Sequence, residues 1–548
     1  MATVAAHIVE MIREQGCQFA FGVPGKPIVP LILEMEKQGI DFVLARHECG
    51  AGYMATGYAM QNDSLSIAIG TSGPGGTNLI TAAAQAKAYH APVLFITGHP
   101  PLTDVGKPVG QDSSMFGTDL TEMFRPVTLF SAKVEDASLL KNYVQHALEK
   151  ALTGAKGPVH LSIPLNVLID KTESFTLPSK WSNDIPVSGN LEQASQILYA
   201  AQRPVLLLGK GVHIAKAYRQ VLEFVEKWNI PVMTTPGGKG TFPTKHRLSL
   251  GAYGLGGTAA ASAYMEEGVD VMVVIGSKLS DMSIAGLQPD HYPKTIIHFD
   301  PFADFVGKSI PVETLFVQGD AKVNLHQLNL NYFSKREAPD LQTYWQKEML
   351  ERENEQIKHA NYQKISTAAV MKCLRGLLPE ETIVFGDDGS HTFHAIKHFD
   401  IVNPGTFFFD DVFGAMGHGL NFAIGAKIAK PETPIVSFTG DGCMMMHGTE
   451  ISTAVNQQAH MIFFVFNNGM LDMVDKGMLY NLGRSVGTRY TTEMNAAKFA
   501  ESLGATGYRC MTMEEVIAAT KTALKHPQTA VIEIIVEKEE VPPTLKRG

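Results

Sequence analysis

Nine short runs of β-branched and other apolar residues punctuate this chain, and each ends in Gly, Pro, Asp or Asn. They read "LSIAIGTSG", "PVLFITG", "PVHLSIP", "PVLLLG", "DVMVVIG", "TIIHFD", "TIVFGD", "IVSFTGDG" and "MIFFVFNN". A strand that is apolar at every position is buried on both faces, and helical stretches lie between the runs. The pattern predicts an α/β fold of mostly parallel sheets flanked by helices. At 548 residues the chain exceeds what one core serves. Two segments break the rhythm: the polar, proline-bearing 170–190 and the charged, partly helical 334–363. Both read as linkers, which predicts three domains over 1–168, 190–333 and 364–540. The first and third are candidates for distant copies of one another.

Charge and cysteine usage exclude some classes of partner. The net charge is −9 with no Lys/Arg block, which argues against nucleic acid. The opening "MATVAAHIVEMIREQG" reads as an amphipathic helix, because His7, Glu10, Arg13 and Glu14 interrupt its apolar positions. No apolar run is long enough to span a bilayer. The five cysteines are scattered without metal-ligand spacing and read as reduced thiols. These features predict a cytoplasmic protein without a membrane partner.

The chemistry is concentrated in "IVSFTGDGCMMMHG", Ile435 to Gly448. An acidic residue between two glycines is by itself a common exposed turn. Here, however, Asp441 follows a buried strand, and ligands of open parallel sheets sit at the carboxyl ends of strands. After 24 intervening residues the run "MIFFVF" delivers Asn467 and Asn468 at its own end. A carboxylate and an amide on neighbouring strands suit Mg²⁺, which takes hard oxygen ligands and shares its remaining positions with phosphates. Gly440 and Gly442 let the backbone approach a diphosphate closely.

With this motif the chain resembles the thiamine-diphosphate enzymes, and within them the acetolactate (acetohydroxyacid) synthase group. The likeness also runs through "FGVPGKP", "RHECGAGYMATGYA", "GTSGPGGTNLITAAAQA", "GPVHLSIP", "RPVLLLGKGV", "PVMTTPGGKGTFP", "HFDP" and "FGAMGHGLNFAIGA". It implies a pyrimidine-binding, a central and a diphosphate-binding domain. It also implies thiamine diphosphate and Mg²⁺, with Asp441, Asn468 and the Met470 carbonyl as metal ligands. Ser390 and His391 fall where relatives contact the diphosphate with Gln-His. Gly414 and Met416 fall where the aminopyrimidine is held, and Pro24 and Gly25 lie in the loop that faces the thiazolium. Glu48 matches the glutamate that bonds the pyrimidine nitrogen, and Gln111 a catalytic glutamine. In the family Glu48 and Asp441 meet across a subunit interface, which implies a homodimer or homotetramer.

The implied activity is decarboxylation of a 2-oxo acid, pyruvate in the synthases, with carboligation to a carbonyl acceptor. Four positions depart from the synthase pattern. Met282 replaces an arginine that grips the acceptor carboxylate, and Gly477 a tryptophan of the acceptor pocket. Gly110 replaces a phenylalanine, and Leu129 a basic residue. A carboxylate without a bidentate partner loses about 1.5–3 kcal/mol, so a larger acceptor without a carboxylate is expected. Lys26 is a compensating cation from the opposite side, and Val474 is a further pocket residue. A 2-oxo acid decarboxylase, or an oxalyl-CoA decarboxylase or 2-hydroxyacyl-CoA lyase, stays open as an alternative. In the central domain, "LGKGV", "TPGGKG" and Asp300 leave FAD, ADP or no ligand open. From a different class, "LLGKGVHIA" with Gly209 and Gly211 could open a NAD-dependent oxidoreductase, although the full G-x-G-x-x-G is missing.

Overall fold

The computed structural model describes residues 2–178, 181, 186–333 and 336–544. All nine runs are strands, and they are distributed over three six-stranded sheets that are parallel throughout. The first sheet orders Asp41–Leu44, Phe19–Gly22, Ser66–Gly70, Val93–His99, Val159–Pro164 and Phe130–Lys133. The third orders Phe407–Phe408, Ile383–Gly386, Ile435–Gly440, Ile462–Asn467, Ala530–Ile535 and Thr506–Cys510. Numbered within its own domain, each runs 2-1-3-4-6-5, so the kinship suspected between these domains appears as identical topology. The central sheet differs. It orders Ser249–Ala252, Val232–Thr234, Val205–Leu208, Val271–Ile275, Thr295–Asp300 and Glu313–Gln318, which is 3-2-1-4-5-6, the dinucleotide-fold order.

The strands that the apolar pattern did not announce are mostly edges or partly polar. Asp41–Leu44, Phe130–Lys133, Glu313–Gln318 and Thr506–Cys510 each border a sheet, where one side meets solvent. Ala530–Ile535 lies inside its sheet but carries the fully buried Glu533. That carboxylate accepts from Asn467 Nδ2 at 2.7 Å and from Arg509.

One core joins the first and third domains. Helix Glu48–Asn62 is buried on nearly every face and lies along helix His418–Ala429, whose surface is likewise apolar all round. Glycines set the separation of these two helices. A Cβ at Gly57 would lie 2.1 Å from the Phe422 carbonyl oxygen, and one at Gly425 would lie 1.9 Å from that of Met54. Any larger residue there forces the domains apart.

Neither expected linker is slack where it is described. Lys171–Thr172 pairs antiparallel with Ala2–Thr3, and Phe175, Leu177 and Trp181 pack on the first core. Helix Gln342–His359 straps the central domain to the third. Glu348 accepts from the Ala259 N–H at 2.7 Å, while Glu351 and Glu355 hold the Lys397 ammonium at 2.6 and 2.8 Å. Residues 179–180 and 182–185 of the first segment, and 334–335 of the second, lie outside the described residues. The opening helix forms as expected, over Val4–Glu14. No helix among the described residues is long and apolar enough to cross a membrane.

Candidate active site

In the third domain the first, third and fourth strands end around a cavity of about 330 Å³. Ser390, His391, Met416, Gly440, Asp441, Gly442, Asn468, Met470 and Val474 all line it. Asp441 is placed by the strand Ile435–Gly440 and is only 4% exposed. Its Oδ2 accepts from the Gly469 N–H at 2.8 Å and its Oδ1 from the Gly442 N–H at 2.9 Å. Gly469 has φ +76°, a left-handed conformation that bends Asn468 and Met470 around the carboxylate. Burial pushes the Asp441 carboxyl up to about 6, against the pull of the Gly469, Gly442 and Met470 N–H groups.

The two asparagines divide the work. Asn467 is tied inward, its Nδ2 donating to Glu533 and to the Met494 carbonyl, which leaves Asn468 to face the cavity. Across from them, Ser390 Oγ and His391 Nε2 are buried without a hydrogen-bond partner. Burial holds the His391 imidazole down to about 4, so it is neutral. Its ring stacks on Phe466 at 5.9 Å. Two unsatisfied polar atoms beside a desolvated carboxylate form a cradle that lacks an oxygen-rich ligand. Asp388, Asp472, Glu537 and Glu540 also line this cavity, with neither Lys nor Arg among its described lining. It therefore offers a diphosphate no side-chain cation of its own. The donor set that Asp441, Asn468 and the Met470 carbonyl would offer a cation is one carboxylate, one amide and one main-chain oxygen. It is not a cluster of three His, Cys, Asp or Glu side chains, a kind that does not occur among the described residues. These residues fit a Mg²⁺-bridged diphosphate.

Met416 closes one wall: its Cε would lie 2.8 Å from a Cβ at Gly442. Gly414, two residues earlier, has φ +65° and donates its N–H to Asp410 at 3.1 Å.

Glu48 belongs to a second cluster, at the carboxyl edge of the first sheet. His47 Nδ1 accepts from the Cys49 N–H and starts the helix that carries Glu48. Glu48 Oε2 accepts from Asn78 Nδ2 at 2.9 Å, and its Oε1 is 3.3 Å from a Cβ at Gly75. Gly25 lies against Thr71, whose Oγ1 is buried without a partner, and Pro24 and Lys26 flank it in an exposed turn. Gln111 sits beside Gly73 with φ +56°. No residue of this cluster lines the Asp441 cavity, so one chain does not bring Glu48 and Asp441 into a common site.

The four remaining pocket candidates scatter. Gly110 and Gly477 face open space, with nothing within 4 Å of an added Cβ. Leu129 packs over Gly157 of the first domain. Met282 lines a different cavity, of about 780 Å³, at the carboxyl ends of Val205–Leu208, Val271–Ile275 and Thr295–Asp300. That cavity occupies the point where the central strand order reverses, and Lys210, Lys278, Asp300 and Phe302 line it. Gly209 and Gly211 beside it are explained by packing: added Cβ atoms would lie 2.4 and 2.5 Å from Gly276.

Several working residues gave no sequence signal. Glu450, fully buried in the third domain, accepts from the Arg46 and His47 N–H groups at 2.9 Å each. It thereby fixes the turn that starts the Glu48 helix, yet in "HGTEIS" it looks like any helical acid. Asn78 and Thr71 lie inside the quoted "GTSGPGGTN" motif, which marks the region but not the atoms.

Two sheets of one order and a third of another, with a carboxylate–amide turn across adjacent strand ends, define a diphosphate-binding class of enzyme. Three family models match in chain order. They are the thiamine pyrophosphate enzyme N-terminal TPP binding domain over 2–123, the central domain over 191–328 and the C-terminal TPP binding domain over 387–534. A probable acetolactate synthase large subunit of Methanocaldococcus jannaschii is 30% identical, covering 99% of this chain and 93% of its own. The acetolactate synthase isozyme 3 large subunit of Escherichia coli is 29% identical over 96% and 92%, and the large subunit of Corynebacterium glutamicum 29% over 100% and 89%. The chain belongs to the thiamine pyrophosphate enzymes and is acetolactate synthase-like. It is a thiamine-diphosphate-dependent enzyme.

Proposed function

We propose that the chain decarboxylates a 2-oxo acid and joins the remaining carbons to a carbonyl acceptor, using thiamine diphosphate and Mg²⁺. The observation that carries this reading is the Asp441 cavity, where a desolvated carboxylate faces the orphaned Ser390 Oγ and His391 Nε2. Asp441, Asn468 and the Met470 carbonyl hold the metal, and Ser390 and His391 donate to the phosphate oxygens. Gly414 and Met416 hold the pyrimidine. When bound, the cofactor supplies a nucleophilic carbon and an electron sink for decarboxylation. Glu48 holds the proton at the pyrimidine nitrogen, and Asn78 fixes its carboxylate.

Because Glu48 and Asp441 lie apart in one chain, the complete site forms between two chains, in a homodimer or a larger assembly. Exposed Met115, Phe116, Val474, Leu482 and Val486 support this, since they leave apolar surface beside both clusters. The acceptor assignment rests on the sequence pattern, which puts Met282 where the synthases have an arginine, and an acceptor without a carboxylate fits that change. Lys26, beside Gly25, is a cation that compensates for the missing arginine from the opposite side of the pocket. The central cavity is the place for a nucleotide, FAD or ADP, with Lys278 as the cation that meets its phosphates. Five free thiols fit a cytoplasmic protein.

Calorimetry of the apoprotein with thiamine diphosphate and Mg²⁺, followed by a CO₂-release screen of 2-oxo acids with and without aldehydes, tests this reading. Tight binding and aldehyde-stimulated product support it. No binding removes it, and efficient conversion of pyruvate alone to acetolactate replaces the acceptor assignment with the plain synthase.

A further inference from the structure

A buried ion pair joins the central cavity to the wall of the cofactor cavity, and neither of its partners belongs to a motif of the diphosphate site. Lys210 follows the strand Val205–Leu208, and its ammonium lies 2.6 Å from Asp410 Oδ1 and 3.7 Å from Asp411 Oδ1. The Tyr89 ring of the first domain covers it at 4.7 Å. Asp410 is 1% exposed, on the segment that follows Phe407–Phe408. Its Oδ1 also accepts from the Val412 N–H at 3.2 Å. Its Oδ2 accepts from the Phe413 and Gly414 N–H groups at 3.0 and 3.1 Å, and from Gln85 Nε2 at 2.5 Å. Gln85 comes from the first domain, and its Oε1 accepts from the Ala415 N–H at 3.3 Å.

The N–H groups of four consecutive residues, 412 to 415, are thus held by two side chains, and Met416 follows directly into the cofactor cavity. Nothing else among the described hydrogen bonds fixes those four donors. Burial alone would raise the Asp410 carboxyl, but the charges of Lys210 and His418 and the bonds from Lys210 and Gln85 outweigh it and hold it well below the usual range. The carboxylate therefore stays ionised and can accept every one of these bonds.

We propose that Lys210, Asp410 and Gln85, one from each domain, are positioning residues that set the Val412–Met416 loop for the cofactor's pyrimidine. The proposal rests on the reading of Gly414 and Met416 given above. Lys210 keeps Asp410 charged, Asp410 gathers the loop's donors, and Gln85 registers the loop against the first domain. Removing Lys210 leaves a buried carboxylate without its counter-charge, which then protonates or turns away, and either event releases the loop.

The test uses the full-length protein with Mg²⁺ and measures thiamine diphosphate Kd, kcat and the melting temperature of the apoprotein. Lys210→Met should raise the cofactor Kd by at least about tenfold, as loss of an outer positioning contact does. The double variant Lys210→Met/Asp410→Asn should recover to within about threefold of the parent, because a neutral amide keeps an acceptor without a stranded charge. A merely structural pair would lower the melting temperature and leave the Kd of the folded protein unchanged, with the two substitutions adding. Should Lys210→Met not fold, Gln85→Met keeps the ion pair yet frees the Ala415 N–H, and a Kd raised about threefold or more is expected. A parental Kd in Lys210→Met and Gln85→Met, or failure of Asp410→Asn to rescue, overturns the relay alone. A parent with no affinity for thiamine diphosphate removes the functional reading and the relay with it.

Discussion

The cavities of the central and third domains both sit where a parallel sheet reverses its strand order, yet they are built for opposite ligands. The third-domain cavity is small, acid-lined and free of Lys and Arg among its described residues, so it offers a phosphate no side-chain cation of its own. The central cavity is larger and carries Lys278 in its lining, so it can meet an anion directly. Size is therefore a poor guide to chemistry here. The smaller cavity holds the orphaned donors and the desolvated carboxylate, whereas the larger one already pairs Lys210 with Asp410. What separates them is which polar atoms each fold leaves unsatisfied.

The largest effect that would break this contrast concerns the metal. Asp441→Ala should weaken thiamine diphosphate binding by more than about 100-fold, beyond the loss usual for outer contacts, and chelation of Mg²⁺ in the parent should do the same. Binding of ADP, as a probe of the central cavity, should survive chelation. Equal sensitivity of both ligands to a chelator in calorimetry would erase the distinction.

Glu48→Gln comes next. It should leave cofactor affinity close to the parent's and slow exchange of the thiazolium proton by about 10²–10⁴-fold, the range of general acid–base assistance. NMR after acid quench reads this, and an unchanged exchange rate would remove Glu48 from the chemistry.

A moderate effect is expected from pH. Burial raises the folded-state carboxyls of Asp441 and Asp388 to about 6, above the ordinary Asp value of about 4. The folded apoprotein thus binds more protons than the unfolded chain between those values, so its stability falls as pH rises from about 4 to about 6 and is level above. A metal held at Asp441, as proposed, would compete with the proton there. Affinity for Mg²⁺ with thiamine diphosphate should therefore climb through the same window and flatten near neutrality. Thermal scans of Asp441→Asn should show a shallower slope than the parent, and an identical slope would contradict the assignment.

The smallest effect concerns the helix whose first residues, Asp472 to Val474, line the third-domain cavity. Gly477 lies inside helix Asp472–Leu482 with open space around an added Cβ. Gly477→Ala should stabilise the protein by about 0.5–1 kcal/mol, the helix penalty of glycine. A loss of stability by denaturant titration would mean that this surface is covered.

Much of this contrast was legible in the sequence where the backbone itself carries it. Asp441 and Asn468 could be placed from the runs "IVSF" and "MIFFVF", because a fully apolar strand fixes where its last residue emerges. The edge strands were hidden, since Asp41–Leu44 is short with only Val43 buried, Glu313–Gln318 is half polar, and each owes its conformation to one neighbour. The resemblance pointed to Asn468 rather than Asn467, and the physical reason is the bond that ties Asn467 to Glu533. Met282 was matched by motif to the acceptor, and within one chain it lines the central cavity, because position along a motif does not say which cavities a loop borders. Glu450 and the Lys210–Asp410 pair join domains that are hundreds of residues apart, and no local pattern reports such contacts.

The central claim is that the reaction needs Glu48 from one chain and Asp441 from another, and mixed dimers test it directly. Chains carrying Glu48→Gln and chains carrying Asp441→Ala, differently tagged and co-expressed, are purified as the heterodimer and assayed for CO₂ release. Each such dimer has one site with both native residues and one with neither, so about half of the parental activity is expected while each variant alone is inactive. Heterodimers as inactive as either variant alone would contradict the claim and return both residues to a single chain.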